Sequence, residues 1–386
     1  MPLRKEVKPD LGVWLPLLDG YRLTSLAYDS QVEGDLLSGL TADSPEVQNA
    51  LAAWPAAAHF EVVDDRTSVV LVFNSRDERG RGPWRHIVLM LLTLVTTLGA
   101  GSLMAGDDPF FTRVWEIGSI GIPYPGGLDM GGLWAGMTFA LPFMGVLLAH
   151  EMAHYVAARF HRVRATLPYF IPFPPYFSII GTVGAFIRLK GPTVRRSILF
   201  DIGASGPVAS FLVSLPLLAI GLQMSETVRG QATVQTPFVI QFAGEAVWLG
   251  NGVMTHVLAM FFAPGSIGDA PILLHPVALV GWLGLFVTAL NLLPLGQLDG
   301  GHILYSMFPE KQARLARLFT AALIPLGLLW WGWWGWAVLI LVVHRGRLQH
   351  PPVVQPGVDL SPRRRVLGWI LIAIFLATFV PVPLEI

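Results

Sequence analysis

Two histidines and a glutamate interrupt a strongly apolar run, "GVLLAHEMAHYVAARF", which extends from Gly145 to Phe160. His150 and His154 stand at positions i and i+4, so they share one face of a helix, and Glu151 lies on the flank of that face. The spacing is H-E-x-x-H, in which two imidazoles bind zinc and the glutamate acts as general base. A catalytic zinc takes three protein ligands and a water. The motif therefore predicts that Glu151 activates the zinc-bound water.

A third ligand is expected from a later apolar segment, "TALNLLPLGQLDGGHIL". Asp299 is the first candidate, because Gly300 and Gly301 let the backbone approach a metal closely. His302 competes with it, and an aspartate at a helix end also commonly faces water. Two alternatives to a zinc site remain open at this stage. H-E-x-x-H can occur by chance, and polar residues within a membrane helix can line a proton or ion path.

The elements that position these residues belong to a membrane protein. The chain of 386 residues is 53% hydrophobic and 13% charged, whereas soluble domains carry about 25% charged residues. Its formal net charge of +0 gives no reason to expect nucleic acid as a partner, and the absence of cysteine excludes disulfides and thiolate ligands. Since about 20 apolar residues cross a bilayer as a helix, seven spans are predicted, near 86–105, 132–160, 197–222, 275–298, 313–330, 333–345 and 365–383.

Basic residues orient these spans, because cytoplasmic loops carry an excess of lysine and arginine. The rule is satisfied at every loop when the N-terminal region is cytoplasmic and spans five and six are separate. The turn between those two spans is placed at the tryptophan-rich "WWGWWGW". The residues predicted on the cytoplasmic side are Arg76, Arg79, Arg81, Arg85, Arg159, Arg162, Arg164, Arg188, Lys190, Arg195, Arg196, Lys311, Arg314, Arg317, Arg345, Arg347 and Arg363 to Arg365.

Two regions are predicted outside the spans. Residues 1–85 are interpreted as a small cytoplasmic α+β domain, with a helix after Ser44 and a hairpin formed by "HFEVV" and "SVVLVF" around an Asp-rich turn. Residues 86–383 form the transmembrane domain, with its core at 132–306. The segment 237–263 is apolar but interrupted by glycines, and it is predicted to be re-entrant or peripheral.

A proline-rich segment, 167–192, fits neither a helix nor a soluble loop. It is predicted to form a membrane-associated hairpin beside the site, in which "GTVGAFIRL" is a strand whose free edge pairs with an extended substrate. The expected substrate-binding residues are Gly181, Thr182, Val183, Gly184, Ala185 and Phe186. A structural plug over the metal is the alternative role, and the two roles are compatible.

Three ordered motifs now resemble the site-2 protease family of intramembrane zinc metalloproteases. They are "HEMAH", "GASGP" and "NLLPLGQLDG", the last of which matches N-x-x-P-x-x-x-L-D-G at Asn291, Pro294, Leu298, Asp299 and Gly300. The resemblance covers about Leu133 to Ser306. With its proline-rich hairpin, the chain looks most like the cyanobacterial and plastid subgroup without PDZ or CBS domains.

The resemblance implies one Zn²⁺ per chain, bound by His150, His154 and Asp299, with Glu151 as catalytic base. It also implies that Asn291 stabilises the oxyanion, although a hydrogen bond between helices would equally explain an asparagine there. Gly203, Gly206 and Pro207 of "GASGP" are expected to allow close helix packing.

The implied fold is an all-α polytopic membrane protein of about seven spans with a β-hairpin and a small N-terminal domain. The implied function is cleavage of single-span membrane proteins near the cytoplasmic side, with the bacterial cytoplasmic membrane as the expected location. A metal or proton transporter and a catalytically inactive scaffold are the competing functions, and the intact Glu151 argues against the scaffold.

Overall fold

The structure is a computed structural model. It describes residues 11–25, 30–54, 58–63, 66–73, 82–117, 120–161, 163–190, 195–265, 267–343, 348, 350, 353 and 360–385. Several predicted cytoplasmic arginines lie outside the described residues, namely Arg76, Arg79, Arg81, Arg162, Arg345 and Arg347. The last two residues of the predicted hairpin, 191 and 192, also lie outside them.

The chain divides into two compact units, of which the first comprises Met1–Gly82 and Leu189–Val194. Its antiparallel sheet has the order β1-β2-β4-β3, and it packs with one helix around Trp14, Val32 and Leu71. Strands β3 and β4 pair over the residues where the sequence predicts a hairpin. The elements are β1 (Leu18–Ser25), β2 (Ser30–Leu36), α1 (Pro45–Ala53), β3 (Ala58–Val63) and β4 (Arg66–Phe73).

The second unit comprises Pro83–Arg188 and Arg195–Ile386 and contains the apolar helices. Its elements, together with β10 of the first unit, are α2 (Trp84–Met104), β5 (Arg113–Ile117), β6 (Ile120–Tyr124), α3 (Met130–Leu133), α4 (Met137–Phe160), β7 (Arg164–Ala165), β8 (Tyr169–Pro172), β9 (Thr182–Phe186), β10 (Leu189–Lys190), α5 (Arg196–Gln223), β11 (Glu226–Thr227), β12 (Phe238–Phe242), β13 (Glu245–Leu249), α6 (Val253–Phe262), β14 (Ile272–Leu273), α7 (Pro276–Asn291), α8 (Asp299–Met307), α9 (Pro309–Leu329), α10 (Gly332–Val343), α11 (Pro362–Thr378) and β15 (Leu384–Glu385).

The membrane helices differ in length from the seven-span expectation. Four segments among the described residues are long and apolar enough to cross a bilayer: α2, α3 with α4, α5, and α9. Helices α7, α10 and α11 have 16, 12 and 17 residues, so the count of seven is not confirmed. The predicted fourth span, 275–298, is shorter as a helix because Pro294 and the positive φ of Gly296 follow its end at Asn291.

Helices α4, α5 and α7 form the centre of the unit, and small residues bring them close together. A Cβ at Gly281 would collide with the backbone of α5 at Leu218, and one at Gly284 would collide with Ser214. Such close approach is typical of membrane helices, which associate through packing rather than through a hydrophobic driving force. These close contacts fix the positions of the apolar helices relative to one another. The candidate metal centre, whose residues lie on different helices, requires such fixed positions.

A five-stranded sheet, ordered β11-β14-β12-β13-β15, lies at one end of these helices, which we call the sheet end. It shows the structure of the segment 237–263 and corrects the expected all-α class. The segment 237–263 is a hairpin followed by α6, because Ala243 and Gly244 both adopt positive φ and form a two-residue turn. The unit is therefore mostly helical rather than all-α. The indole of Trp333 donates to the carbonyl of Pro381, which places the α9–α10 turn near the same end.

An ionic cluster ties the opposite ends of α4, α5 and α11 together, and we call this the basic end. Asp201 on α5 accepts two hydrogen bonds of 2.7 Å from the guanidinium of Arg364. Its carboxylate also lies 2.9 Å from Nε2 of His161, at the end of α4. Bidentate arginine–carboxylate pairs fix orientation as well as distance, so the three helix ends are held in register beside the site.

Candidate metal centre

Helix α4 carries His150, Glu151 and His154, and all three side chains are buried. The Nε2 atoms of the two histidines lie 3.1 Å apart, as the i, i+4 spacing predicts. Asp299 opens α8 and brings Oδ2 to 3.3 Å from each Nε2. Among the described residues, this is the one group of three potential ligands from histidine or acidic side chains whose donor atoms lie within 4.8 Å of one another.

The distances within this group fit a tetrahedral zinc ion. Zinc–nitrogen and zinc–oxygen bonds of about 2.0–2.2 Å at tetrahedral angles separate neighbouring ligand atoms by about 3.3 Å. The three observed separations are 3.1, 3.3 and 3.3 Å. The three side chains therefore fit three ligand positions of a tetrahedral zinc ion, whose fourth position in a catalytic site is taken by water or substrate.

The second nitrogen of each histidine supports the same assignment. His154 Nδ1 lies 2.7 Å from the carbonyl of Ile202, which only accepts hydrogen bonds, so Nδ1 is the protonated nitrogen. His150 Nδ1 lies 3.1 Å from the hydroxyl of Ser210, which in turn lies 2.8 Å from the hydroxyl of Thr288. With Nδ1 protonated, the unprotonated Nε2 faces the metal position. Outer partners of this kind orient metal-binding histidines.

Sequence reasoning missed these outer partners. Ser210 and Thr288 are buried polar residues in apolar helices, and that contrast is the signal that could have found them. Ile202 contributes only its backbone carbonyl, which its side-chain identity does not reveal.

The glycines of the "GASGP" segment provide room for the site. A Cβ at Gly206 would fall inside van der Waals distance of Nε2, Cε1 and Cδ2 of His154. A Cβ at Gly203 would crowd the side chain of His302. Helix α5 therefore packs against the imidazole of His154 with no side chain between them. The close packing expected of these glycines thus includes a contact with a candidate metal ligand.

Glu151 and Asn291 lie at the margin of the ligand group. Glu151 is close enough to interact electrostatically with both histidines and Asp299, and its carboxylate accepts a hydrogen bond from the backbone of Ile187. Asn291 ends α7, and its Nδ2 lies 3.4 Å from Nε2 of His150. His302 belongs elsewhere, because its Nδ1 lies 2.8 Å from Nε2 of His350. Asp299, not His302, completes the group.

The proline-rich segment forms the antiparallel pair β8–β9. The first residues of this segment lie at the start of α2, where His86 Nδ1 is 3.1 Å from the carbonyl of Pro168. The turn at Gly181 packs on the backbone of Thr96 and Thr97, farther along the same helix. Strand β9 then runs back along α4. Ile187, the residue after the end of β9, lies beside Glu151. The hairpin thus runs lengthwise along the helices and ends at the site.

The six predicted substrate-binding residues differ in exposure. Gly181 and Thr182 are buried, and the Thr182 hydroxyl donates to the carbonyl of Ile171. Val183 and Phe186 are exposed, and Gly184 and Ala185 are half-buried. Strand β8 occupies one edge of β9, and the part of the chain that the structure describes places no strand on the other.

A buried His-His-Asp group with an adjacent glutamate, set among apolar helices, is the set of side chains typical of membrane-embedded zinc metalloproteases. Residues 138–329 match peptidase family M50, so the chain carries a domain that resembles this family. The resemblance inferred from the three sequence motifs is confirmed.

Relatives of the chain are plant proteins. The chain is 27% identical over 317 residues to the probable chloroplastic zinc metalloprotease EGY1 of Oryza sativa subsp. japonica, and the match covers 78% of this chain and 51% of that protein. It is 28% identical over 316 residues to EGY1 of Arabidopsis thaliana, covering 78% and 54%. The probable chloroplastic zinc metalloprotease EGY2 of Arabidopsis thaliana is 28% identical over 257 residues, covering 64% and 42%. No solved structure matches the chain.

The chain thus spans about half the length of the relatives that it matches. These relatives confirm the expected similarity to the plastid subgroup. They give no support to the expected bacterial cytoplasmic membrane, because these relatives are chloroplastic proteins. The multi-pass membrane character stands on the apolar helices and the family.

Proposed function

We propose that this protein is an intramembrane endopeptidase that cleaves a transmembrane segment of a single-span membrane protein. The observation that carries the proposal is the position of His150, Glu151 and His154. They are buried within α4, in one of the segments able to cross a bilayer. A hydrolytic site at that depth acts on a peptide bond that lies in the membrane. The metal or proton transporter is not favoured, because the family consists of peptidases.

In the proposed reaction the chain's own residues have separate tasks. His150, His154 and Asp299 would hold Zn²⁺, which when bound would supply Lewis-acid polarisation of the scissile carbonyl and lower the pKa of water. Glu151 accepts the proton of the attacking water and passes it to the leaving amine. The backbone N–H of Ile187 orients the carboxylate of Glu151 for both transfers.

The proposed orientation follows from the basic residues. The end of α4 that carries Arg159, and the start of α11 with Arg363 to Arg365, lie at the basic end, which we assign to the cytoplasmic side. His154 is within two helical turns of that end, so cleavage takes place closer to the cytoplasmic surface. Residues 1–85 are proposed to be a cytoplasmic domain, and 86–383 the protease domain.

Purified protein in bilayer nanodiscs with a labelled single-span substrate tests this function. We expect one zinc per chain, cleavage within the transmembrane segment, loss of cleavage after treatment with a zinc chelator, and recovery when Zn²⁺ is restored. A magnesium-restored sample is the control. Cleavage that persists in chelator without zinc would contradict the mechanism.

The role proposed for Asn291 is to stabilise the oxyanion of the reacting peptide. Its amide nitrogen lies 3.4 Å from Nε2 of His150, at the margin of the ligand group. We expect Asn291→Ala to lower kcat by about 10²- to 10³-fold, with zinc content unchanged. A hydrogen bond between helices would instead predict a lower melting temperature with little change in kcat. Measuring both quantities on the same preparation separates the two roles.

Strand addition to β9 is the proposed mode of substrate binding. A peptide bond within a helix is protected by its own hydrogen bonds, and pairing with an open strand edge holds it extended. Because β9 leads to Ile187 and Glu151, a peptide paired with its free edge is delivered to the catalytic base.

Single cysteines test this mode directly, because the chain has none of its own. We expect Val183→Cys and Phe186→Cys to form disulfides with cysteines placed near the cleavage site of the substrate, in a position-dependent pattern. Ile171→Cys on β8 is the matched control, since Ile171 is also exposed but lies on the strand that packs against α2. Equal crosslinking at Ile171 and Val183 would contradict strand addition.

A further inference from the structure

A second hairpin, formed by β5 and β6, lies between α2 and α3 and is not used by the proposed mechanism. Trp115 pairs with Ile122, and Arg113 pairs with Tyr124. Residues that pair across strands, and alternate residues along a strand, share one face. One face therefore presents these four side chains, and we call it the Trp115 face. Val114 and Glu116 lie on the other face.

The Trp115 face is uncovered by the described residues. Trp115 is 63% exposed and Tyr124 is 42% exposed, and Ile122 is exposed as well. The two strands form a separate sheet with no third strand, and an isolated two-stranded hairpin is at best marginally stable in water. The hairpin therefore needs a partner that accepts an aromatic and aliphatic surface.

The residues just before β5 and just after β6 form the root of the hairpin, and this root lies beside the end of α2 rather than beyond it. The ring of Phe110 packs against Gly99, which precedes the end of the helix at Met104. Five residues of helix correspond to about 7 Å. Backbone hydrogen bonds from Gly126 and Asp129 to Phe110 and Pro109 close the root. The hairpin thus emerges at the depth where a membrane-spanning helix reaches the headgroup region.

Phe111, next to the root, provides an independent observation. Its φ is +46°, a conformation that is rare for a bulky residue, and its ring is 59% exposed. A strained residue with its ring turned outward indicates a function for that surface. Trp134, at the start of the neighbouring membrane segment, is exposed too. Tryptophan and tyrosine concentrate at the membrane–water interface, where rings lie among headgroups.

We propose that the β5–β6 hairpin is a lipid-binding element, which lies at headgroup level with its Trp115 face toward the bilayer and its Glu116 face toward water. The occupant is the lipid surface, because the hairpin leaves the protein beside the end of one membrane-spanning helix, and exposed Trp134 stands at the start of the next membrane segment. Arg113 on the Trp115 face is placed to reach lipid phosphates, and Glu116 on the opposite face is kept away from them.

The absence of native cysteines allows each face to be labelled alone. Trp115→Cys reports on the proposed lipid face and Glu116→Cys, one residue away, is the matched control. Each variant is labelled with an environment-sensitive fluorophore and reconstituted in phosphatidylcholine–phosphatidylglycerol vesicles. Quenching is measured with lipids that carry a nitroxide near the headgroup, and separately with aqueous iodide. Zinc content equal to that of the wild type shows that the variants fold, and Ile122→Cys replaces Trp115→Cys if it does not.

We expect quenching by the nitroxide lipid to be about three-fold stronger at position 115 than at position 116, with the reverse order for iodide. Iodide quenching at both positions without lipid quenching would overturn the proposal, because the hairpin would then stand in water. Protection of position 115 from both quenchers would overturn it in favour of a protein partner or a second copy. Equal lipid quenching at both positions would overturn the assignment of a single lipid face.

Discussion

Glu151→Gln is expected to lower kcat/KM for substrate cleavage by about 10²- to 10⁴-fold while the protein keeps its zinc. Glutamine has the same shape as glutamate, and its carbonyl oxygen still accepts the hydrogen bond from Ile187. It does not take up a proton from water at neutral pH. The variant therefore removes the base and leaves the packing of α4 and the three ligands in place.

The measurement pairs cleavage kinetics with zinc analysis of the same preparation. Glu245→Gln is a matched control, because Glu245 is an exposed glutamate on β13 at the sheet end. Wild-type activity in Glu151→Gln would show that another group is the base. Loss of zinc would show that Glu151 is a ligand, which the His-His-Asp group does not require.

Gly206→Ala is expected to weaken zinc binding by about 10- to 100-fold, although it adds only one methyl group. The new Cβ would overlap Nε2, Cε1 and Cδ2 of His154, so the imidazole has to leave the position from which it faces Asp299. The Nδ1 hydrogen bond to Ile202 opposes this shift from the other side of the ring. The ligand is then displaced or the helices separate, and either change disrupts the tetrahedral arrangement.

Equilibrium dialysis with a competing chelator measures this loss, and thermal unfolding reports on helix packing. Gly145→Ala is the matched control, because a Cβ at Gly145, on the same helix as His154, would meet no other atom within 4 Å. Zinc affinity equal to that of the wild type in Gly206→Ala would mean that α5 moves aside easily. In that case the contact with His154 would not determine the geometry of the site.

The sequence alone predicted much of the ligand group, for a local reason. The period of the α-helix brings residues four apart onto one face, so His150 and His154 are neighbours wherever α4 packs. Asp299 followed from the glycines beside it and from its segment, and the structure places it with the two histidines. The apolar composition likewise predicted a membrane protein, because burial in a bilayer needs long uncharged helices.

Tertiary structure decided what depends on contacts between distant segments. The Ile202 carbonyl at His154, the Ser210–Thr288 pair at His150 and the approach of α5 at Gly206 each join residues far apart in sequence. The five-stranded sheet of the sheet end is also non-local, since β12 pairs with β14 and β13 with the C-terminal β15. No pattern within the segment 237–263 indicates these strand partners, so its place in the sheet could not be predicted from the sequence.

The stretch from Gly145 to Phe160 shows where the division lies. Its residue types and spacing determined that two imidazoles and a carboxylate share one side of a helix, because that follows from helical geometry alone. Which nitrogen faces the metal position, whether Asp299 or His302 completes the ligand group and which strand leads to Glu151 were decided only by packing. Those features depend on the backbone and side chains of α5, α7, α8 and the β8–β9 hairpin, and no local pattern encodes their relative positions.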